Sequence, residues 1–132
     1  MPPFSGPSAI RQRMPQFSPV VLRIFLGAAV LFAAHRVLIA ACPAYSHALV
    51  RGYLGDFLAL PICVPFFATS QTWLGVRRVG ANLRATEILA YWLLFSVWFE
   101  ILAPQVWHRL TADPWDVVAY GLGGLCLWLL SR

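Results

Sequence analysis

The chain reads as an all-α, polytopic membrane protein with four transmembrane helices and both termini on the cytoplasmic side. Three observations lead there. Of 132 residues, 60% are hydrophobic and only 11% are charged, against roughly a quarter charged in an ordinary soluble domain. The mean hydropathy is +0.70. The apolar residues fall into four runs, separated by stretches rich in Pro, Gly and Arg. This combination excludes a disordered chain and most soluble folds.

Residues 1–18 hold four prolines, three serines, Arg11 and Arg13, and read as a flexible basic tail. The transmembrane domain takes residues 19–132 as a single domain. Its first helix spans about 19–42, with Arg23 placed to snorkel and Pro43 as its stop. Ile39-Ala40-Ala41-Cys42 resembles a lipobox, although His35 and Arg36 interrupt the apolar run before it. The second helix spans about 53–74. Its stretch Phe57–Val76 carries no charge and is long enough to cross a ~30 Å hydrocarbon core. Pro61 and Pro65 lie inside it and are read as kinks, since membrane helices tolerate them. A basic loop follows. The third helix spans about 87–103, is rich in aromatics, and is closed by Pro104. The fourth spans about 115–131; its apolar part is short, so its flanks belong at the interface.

Charge sets the orientation. All ten basic residues are Arg. Arg11, Arg13, Arg23, Arg77, Arg78, Arg84 and Arg132 share one face of the four-helix topology, against Arg51 and Arg109 on the other with Arg36 near it inside the first helix, and the positive-inside rule makes the first face cytoplasmic. They form no continuous basic stripe, so nucleic acid is not an expected partner. Trp73 and Trp128 mark the inner interface, Trp107 and Trp115 the outer.

The acids do not follow the bases. Only Glu87 lies on the Arg-rich face; Asp56, Glu100, Asp113 and Asp116 fall at the opposite end. At 1.5 Å per residue, Glu100 is about 6 Å inward from Pro104, and Arg36 sits at similar depth on the first helix. Ionisable groups at such depth face the bundle interior and pair. Two arrangements follow: an ion pair of Arg36 with Glu100 or Asp116, or an outward-facing pocket of these acids with Arg36 or Arg109. Asp56, Glu100, His108, Asp113 and Asp116 are also candidate ligands for a hard divalent cation, although no HExxH-like spacing accompanies them. No nucleophile elbow or phosphate-binding loop is present, so no catalytic residue is assigned. No cofactor is expected. Cys42, Cys63 and Cys126 are too few and too widely spaced for a disulfide framework. His35 and His47 read as packing or interface residues. Gly121, Gly123 and Gly124 suit close helix contact.

Glu100, Arg109, Asp116 and Gly123 together resemble the pattern of VanZ-like membrane proteins. In that pattern an acid ends one helix, an Arg occupies the next loop, and an Asp opens the last helix with a Gly two turns on. Two positions depart from it: Ala103 stands where the family has Gln, and Tyr120 where it has Asn. Tyr53-Leu54-Gly55-Asp56 with Pro61, and Thr111 to Val118 with Tyr120, are similar to small uncharacterised bacterial membrane proteins. Some of those carry the automatic name magnesium citrate secondary transporter. The resemblance adds Tyr53 and Tyr120 to the pocket candidates and implies a bacterial inner-membrane location. The gathering of acids at the outer end points to a VanZ-like protein, a binder more than an enzyme, whose outer pocket takes an amphiphilic, lipid-headgroup or antibiotic-type ligand, or a cation. A small oligomeric secondary transporter and a scaffold subunit contacting other membrane proteins are the alternatives. The bilayer is the expected partner, with a homo-oligomer or other membrane subunits as further ones.

Overall fold

The computed structural model describes residues 18–42, 48–78, 80–107 and 113–132, with residues 48–51 described by backbone alone. Helix and turn account for the ordered elements, and no strand occurs among the described residues. Helix α1 spans Pro19–Ala41, α2 Ala48–Trp73, α3 Ala85–Val106 and α4 Pro114–Leu130. The first, second and third contain spans long and apolar enough to cross a membrane. The fourth is apolar but shorter, with 17 residues, about 26 Å at helical rise.

Two boundaries differ from the sequence expectation. Helix α2 begins at Ala48 rather than Tyr53, so Arg51 and Gly52 continue the helix instead of linking to it. Pro104 does not close α3. The helix widens into a π-helical turn over Trp98–Leu102, where the Ala103 N–H reaches the Trp98 carbonyl, and then runs on through Ala103–Val106. The wider turn accommodates a proline that would clash in a regular α-helix. The basic stretch 1–17, with Arg11 and Arg13, lies outside the described residues, as does His47. Cys42 is exposed at the end of α1.

Helices α2 and α4 form the central pair and run parallel. Tyr53 meets Asp113 near their starts, while Leu60, Val64 and Leu127 share the buried core further along. Helix α1 packs antiparallel on α2, with Phe32 reaching Gly55. Helix α3 packs antiparallel on α4, where Ile88 faces Gly124 and Trp92 faces Gly121.

The closest approach is at Gly123. A Cβ there would overlap the Phe57 carbonyl oxygen and press on Pro61 Cδ at 3.3 Å. The reason lies in α2. Pro61 has no N–H, so the Phe57 carbonyl loses its intrahelical partner. Glycine lets the α4 backbone come up against that exposed oxygen, a contact of the Cα–H···O kind. One turn along α2, Leu60 Cδ1 would lie 3.0 Å from a Cβ on Gly124, and Ile88 Cγ2 3.1 Å from it. At Gly121 the Trp92 indole lies across the helix, and its Nε1 donates to the Val117 carbonyl at 2.9 Å. Thus each of the three glycines receives a neighbour.

The outside is apolar. Val30, Leu31 and Val37 on α1, and Leu89, Leu93 and Leu94 on α3, are more than half exposed. Such a continuous apolar surface is suited to lipid, not to water. Polar side chains in α2 bond inward to the backbone: Thr69 to the Pro65 carbonyl at 2.7 Å and Thr72 to the Ala68 carbonyl at 2.9 Å. Helix α2 ends on Gly75, whose φ of 74° permits the closing turn. Beyond it, Arg77 grips Glu87 at 2.7 and 3.1 Å and the Asn82 carbonyl at 2.8 Å. Glu87 also accepts the Arg84 N–H at 2.8 Å, half of a capping box. Arg77–Glu87 is the only ion pair among the described residues.

Gly123→Ala is expected to destabilise the fold by about 1–3 kcal/mol or more, whereas Gly27→Ala on α1, where a Cβ meets nothing within 4 Å, is expected to be neutral or slightly stabilising. Unfolding of both variants in mild detergent by a denaturing detergent titration measures the contrast. Glu87→Ala is expected to cost about 1 kcal/mol, since the carboxylate is one-third exposed; the same titration at raised salt on the wild type and this variant checks it.

Candidate functional site

The parallel pairing of α2 and α4 sets their first turns side by side, at the end of the bundle away from the Arg77–Glu87 loop. Four acidic side chains from three helices meet there. Asp113 caps α4: Oδ1 accepts the Trp115 N–H at 3.0 Å, and Pro114 fills the first helical position. Its other oxygen, Oδ2, accepts the Tyr53 hydroxyl at 2.8 Å. One carboxylate therefore both starts α4 and ties it to α2.

One turn deeper, Asp56 of α2 lies close to Asp116 and Tyr120 of α4. Asp116 lies in the first turn of α4, where the helix dipole favours negative charge. Tyr120 is buried at 4% exposure. It stands against Phe95 and Phe99 of α3, with ring centroids 6.2 and 6.3 Å away. Glu100 comes from the π-helical turn. It lies near Asp113 and Asp116 at the start of α4. Its Oε2 atom is buried without a hydrogen-bond partner.

The π turn places Glu100 toward this cluster. The extra residue it inserts rotates the end of α3 relative to a regular helix. Beside the acids, Tyr53, Trp115, Val118, Ala119 and Leu122 line an open apolar groove of about 380 Å³. Acidic end and groove are continuous, because Tyr53 belongs to both.

The sequence candidates divide as follows. Tyr53, Asp56, Glu100, Asp113, Asp116 and Tyr120 are brought together. Arg36 is not: it is exposed on α1 and makes no ion pair with Glu100 or Asp116. Its neighbour His35 faces inward and is 4% exposed. The register of α1 on α2 turns His35 to the core and Arg36 away from it. Arg109 and His108 lie outside the described residues. Asp56, Glu100, Asp113 and Asp116 do not converge as metal ligands: among the described residues, no three His, Cys, Asp or Glu side chains gather closely enough to hold a metal ion. The acids are instead spread over two levels, with tyrosine hydroxyls between them.

No protein-family model, curated protein or solved structure matches this chain. The site is therefore read from its own geometry. Phe95 and Phe99 escaped the sequence reading. Their spacing of four residues on an aromatic-rich helix was the signal, but lipid-facing and pocket-facing aromatics look alike in sequence.

Asp113→Asn keeps one oxygen to accept the Trp115 N–H and turns its NH2 toward the Tyr53 hydroxyl, which must then accept, so it is expected to lose about 1 kcal/mol or less, while Asp113→Ala is expected to lose about 2 kcal/mol. In a double-mutant cycle, Tyr53→Phe and Asp113→Ala are expected to be coupled by about 1 kcal/mol; additive losses in detergent unfolding would show that the bond contributes nothing.

Proposed function

We propose that this chain is a four-span, VanZ-like inner-membrane protein of bacterial type that binds cationic amphiphiles at its outer face. The ammonium-type head of the ligand sits among Asp56, Glu100, Asp113 and Asp116, and its tail lies in the groove lined by Tyr53, Trp115, Val118 and Leu122. One observation carries the reading. Four carboxylates from three helices, Asp56, Glu100, Asp113 and Asp116, are held at one end of the bundle, and an ionised carboxylate offers only acceptors. Such a group of like charges repels itself and attracts a cation. No Arg or Lys of the described residues pairs with them.

Further support comes from the unpartnered Glu100 oxygen, which adds an acceptor at the same place. The donor set favours an organic cation over a bare metal ion, because the carboxylates are not clustered at coordination distance. The adjoining groove favours an amphiphile over a small hydrophilic cation. The arginines at the opposite end of the bundle support an orientation with the acids outward. Helix α4 spans in this reading, its shortness compensated by Trp115 and Trp128 near its two ends.

Isothermal titration of the full chain in nanodiscs with dodecylammonium chloride tests the proposal. Wild type is expected to bind it, and the triple variant Asp56→Asn, Glu100→Gln, Asp116→Asn to bind at least about tenfold more weakly. Dodecyl sulfate, with the same tail and the opposite charge, is expected not to compete. Equal binding of the ammonium by wild type and the triple variant would overturn the reading.

A further inference from the structure

A second groove lies at the other end of the molecule, between the start of α3 and the last turns of α4. Its walls are Ile88, Leu89, Trp92, Leu125 and Trp128, and it holds about 360 Å³. Gly121 and Gly124 of α4 also line it. From Ala85 at the mouth to Trp92 at the closed end is about 10 Å along α3 at helical rise. Trp92 is fixed there by its bond to the Val117 carbonyl. Leu89 and Leu125 are half exposed beside it, so the groove opens sideways onto the apolar surface of the bundle.

The mouth is basic. Trp128, one wall, carries the Arg132 guanidinium 3.6 Å from its ring centroid. Arg84 immediately precedes Ala85 at the same end and is exposed. Arg77 is neutralised by Glu87, but neither Arg84 nor Arg132 has a carboxylate partner among the described residues. Apolar walls below and unpaired guanidinium groups above match the two parts of one molecule.

We propose that this groove is a seat for an anionic phospholipid, with one acyl chain against Ile88, Leu89, Trp92 and Leu125 and the phosphate held by Arg84 and Arg132. The assignment uses only the membrane placement of the helices and is independent of the ligand proposed for the acidic end. A Trp–Arg stack is suited to the headgroup level, where the ring remains in the apolar layer and the guanidinium meets phosphate. Glycines at positions 121 and 124 admit Trp92 and Ile88 close to α4, and these two side chains line the groove.

Native mass spectrometry of the delipidated full chain, titrated with phosphatidylglycerol or phosphatidylcholine, tests the seat. Wild type is expected to retain phosphatidylglycerol about tenfold more tightly than phosphatidylcholine. Arg84→Ala with Arg132→Ala is expected to bring the two lipids to similar retention. Leu89→Trp with Leu125→Trp, at half-exposed positions that tolerate bulk, fills the hollow and is expected to weaken both lipids. Inorganic phosphate added in excess is expected to displace neither. Equal retention of the two lipids by wild type, displacement by phosphate alone, or unchanged retention in the groove-filling variant would each overturn the proposal.

Discussion

The contact between Gly123 and the Phe57 carbonyl governs the rest of the arrangement. Inside a bilayer, apolar attraction between helices is weak, because lipid tails are as apolar as leucine. Helices then associate by close packing and by satisfying groups that lipid cannot satisfy. Pro61 creates such a group by removing the donor that the Phe57 carbonyl would otherwise receive. Gly123 removes the side chain that would hold α4 away from it. Proline on one helix and glycine on the other are complementary halves of one joint.

That joint fixes register as well as distance. With Gly123 on Phe57 and Gly124 on Leu60, the beginning of α4 must lie beside the beginning of α2. Asp113 then reaches Tyr53, and Asp116 reaches Asp56. The acidic site is a consequence of where two apolar helices touch. Slipping α4 by one turn would separate every one of these pairs. Glu100 is brought in differently, by the π-helical turn that lets α3 pass Pro104. The third helix thus contributes to the site through a local irregularity and not through its packing angle.

The two ends of the bundle carry different sets of charged groups. At one end, carboxylates accumulate with tyrosine hydroxyls and a groove beside them. At the other, Arg77 is consumed in a local loop clamp while Arg84 and Arg132 stay exposed above a second groove. Both grooves border α4, whose inner face includes Ala119, Gly123 and Gly124. A helix built for close contact leaves hollows wherever its neighbours are not flush against it.

Composition and spacing alone were enough to determine the helical class, the apolar segments and the gathering of four of the five acids at one end, because lipid exposure demands long uncharged runs and leaves charge mainly at the ends. The three glycines were legible for the same reason: small residues in an apolar helix have few other uses. The tertiary structure decided which charges meet. Arg36 and His35 are adjacent in sequence, and only the register of α1 on α2 turned one outward and the other into the core. Pro104 looked like a stop, and only the widened turn at Trp98–Leu102 let the helix continue and carry Glu100 to the acids. Depth along a helix can be counted from sequence at 1.5 Å per residue; rotation about the helix axis cannot, because in lipid the outward face is as apolar as the inward one and leaves no periodic pattern to read.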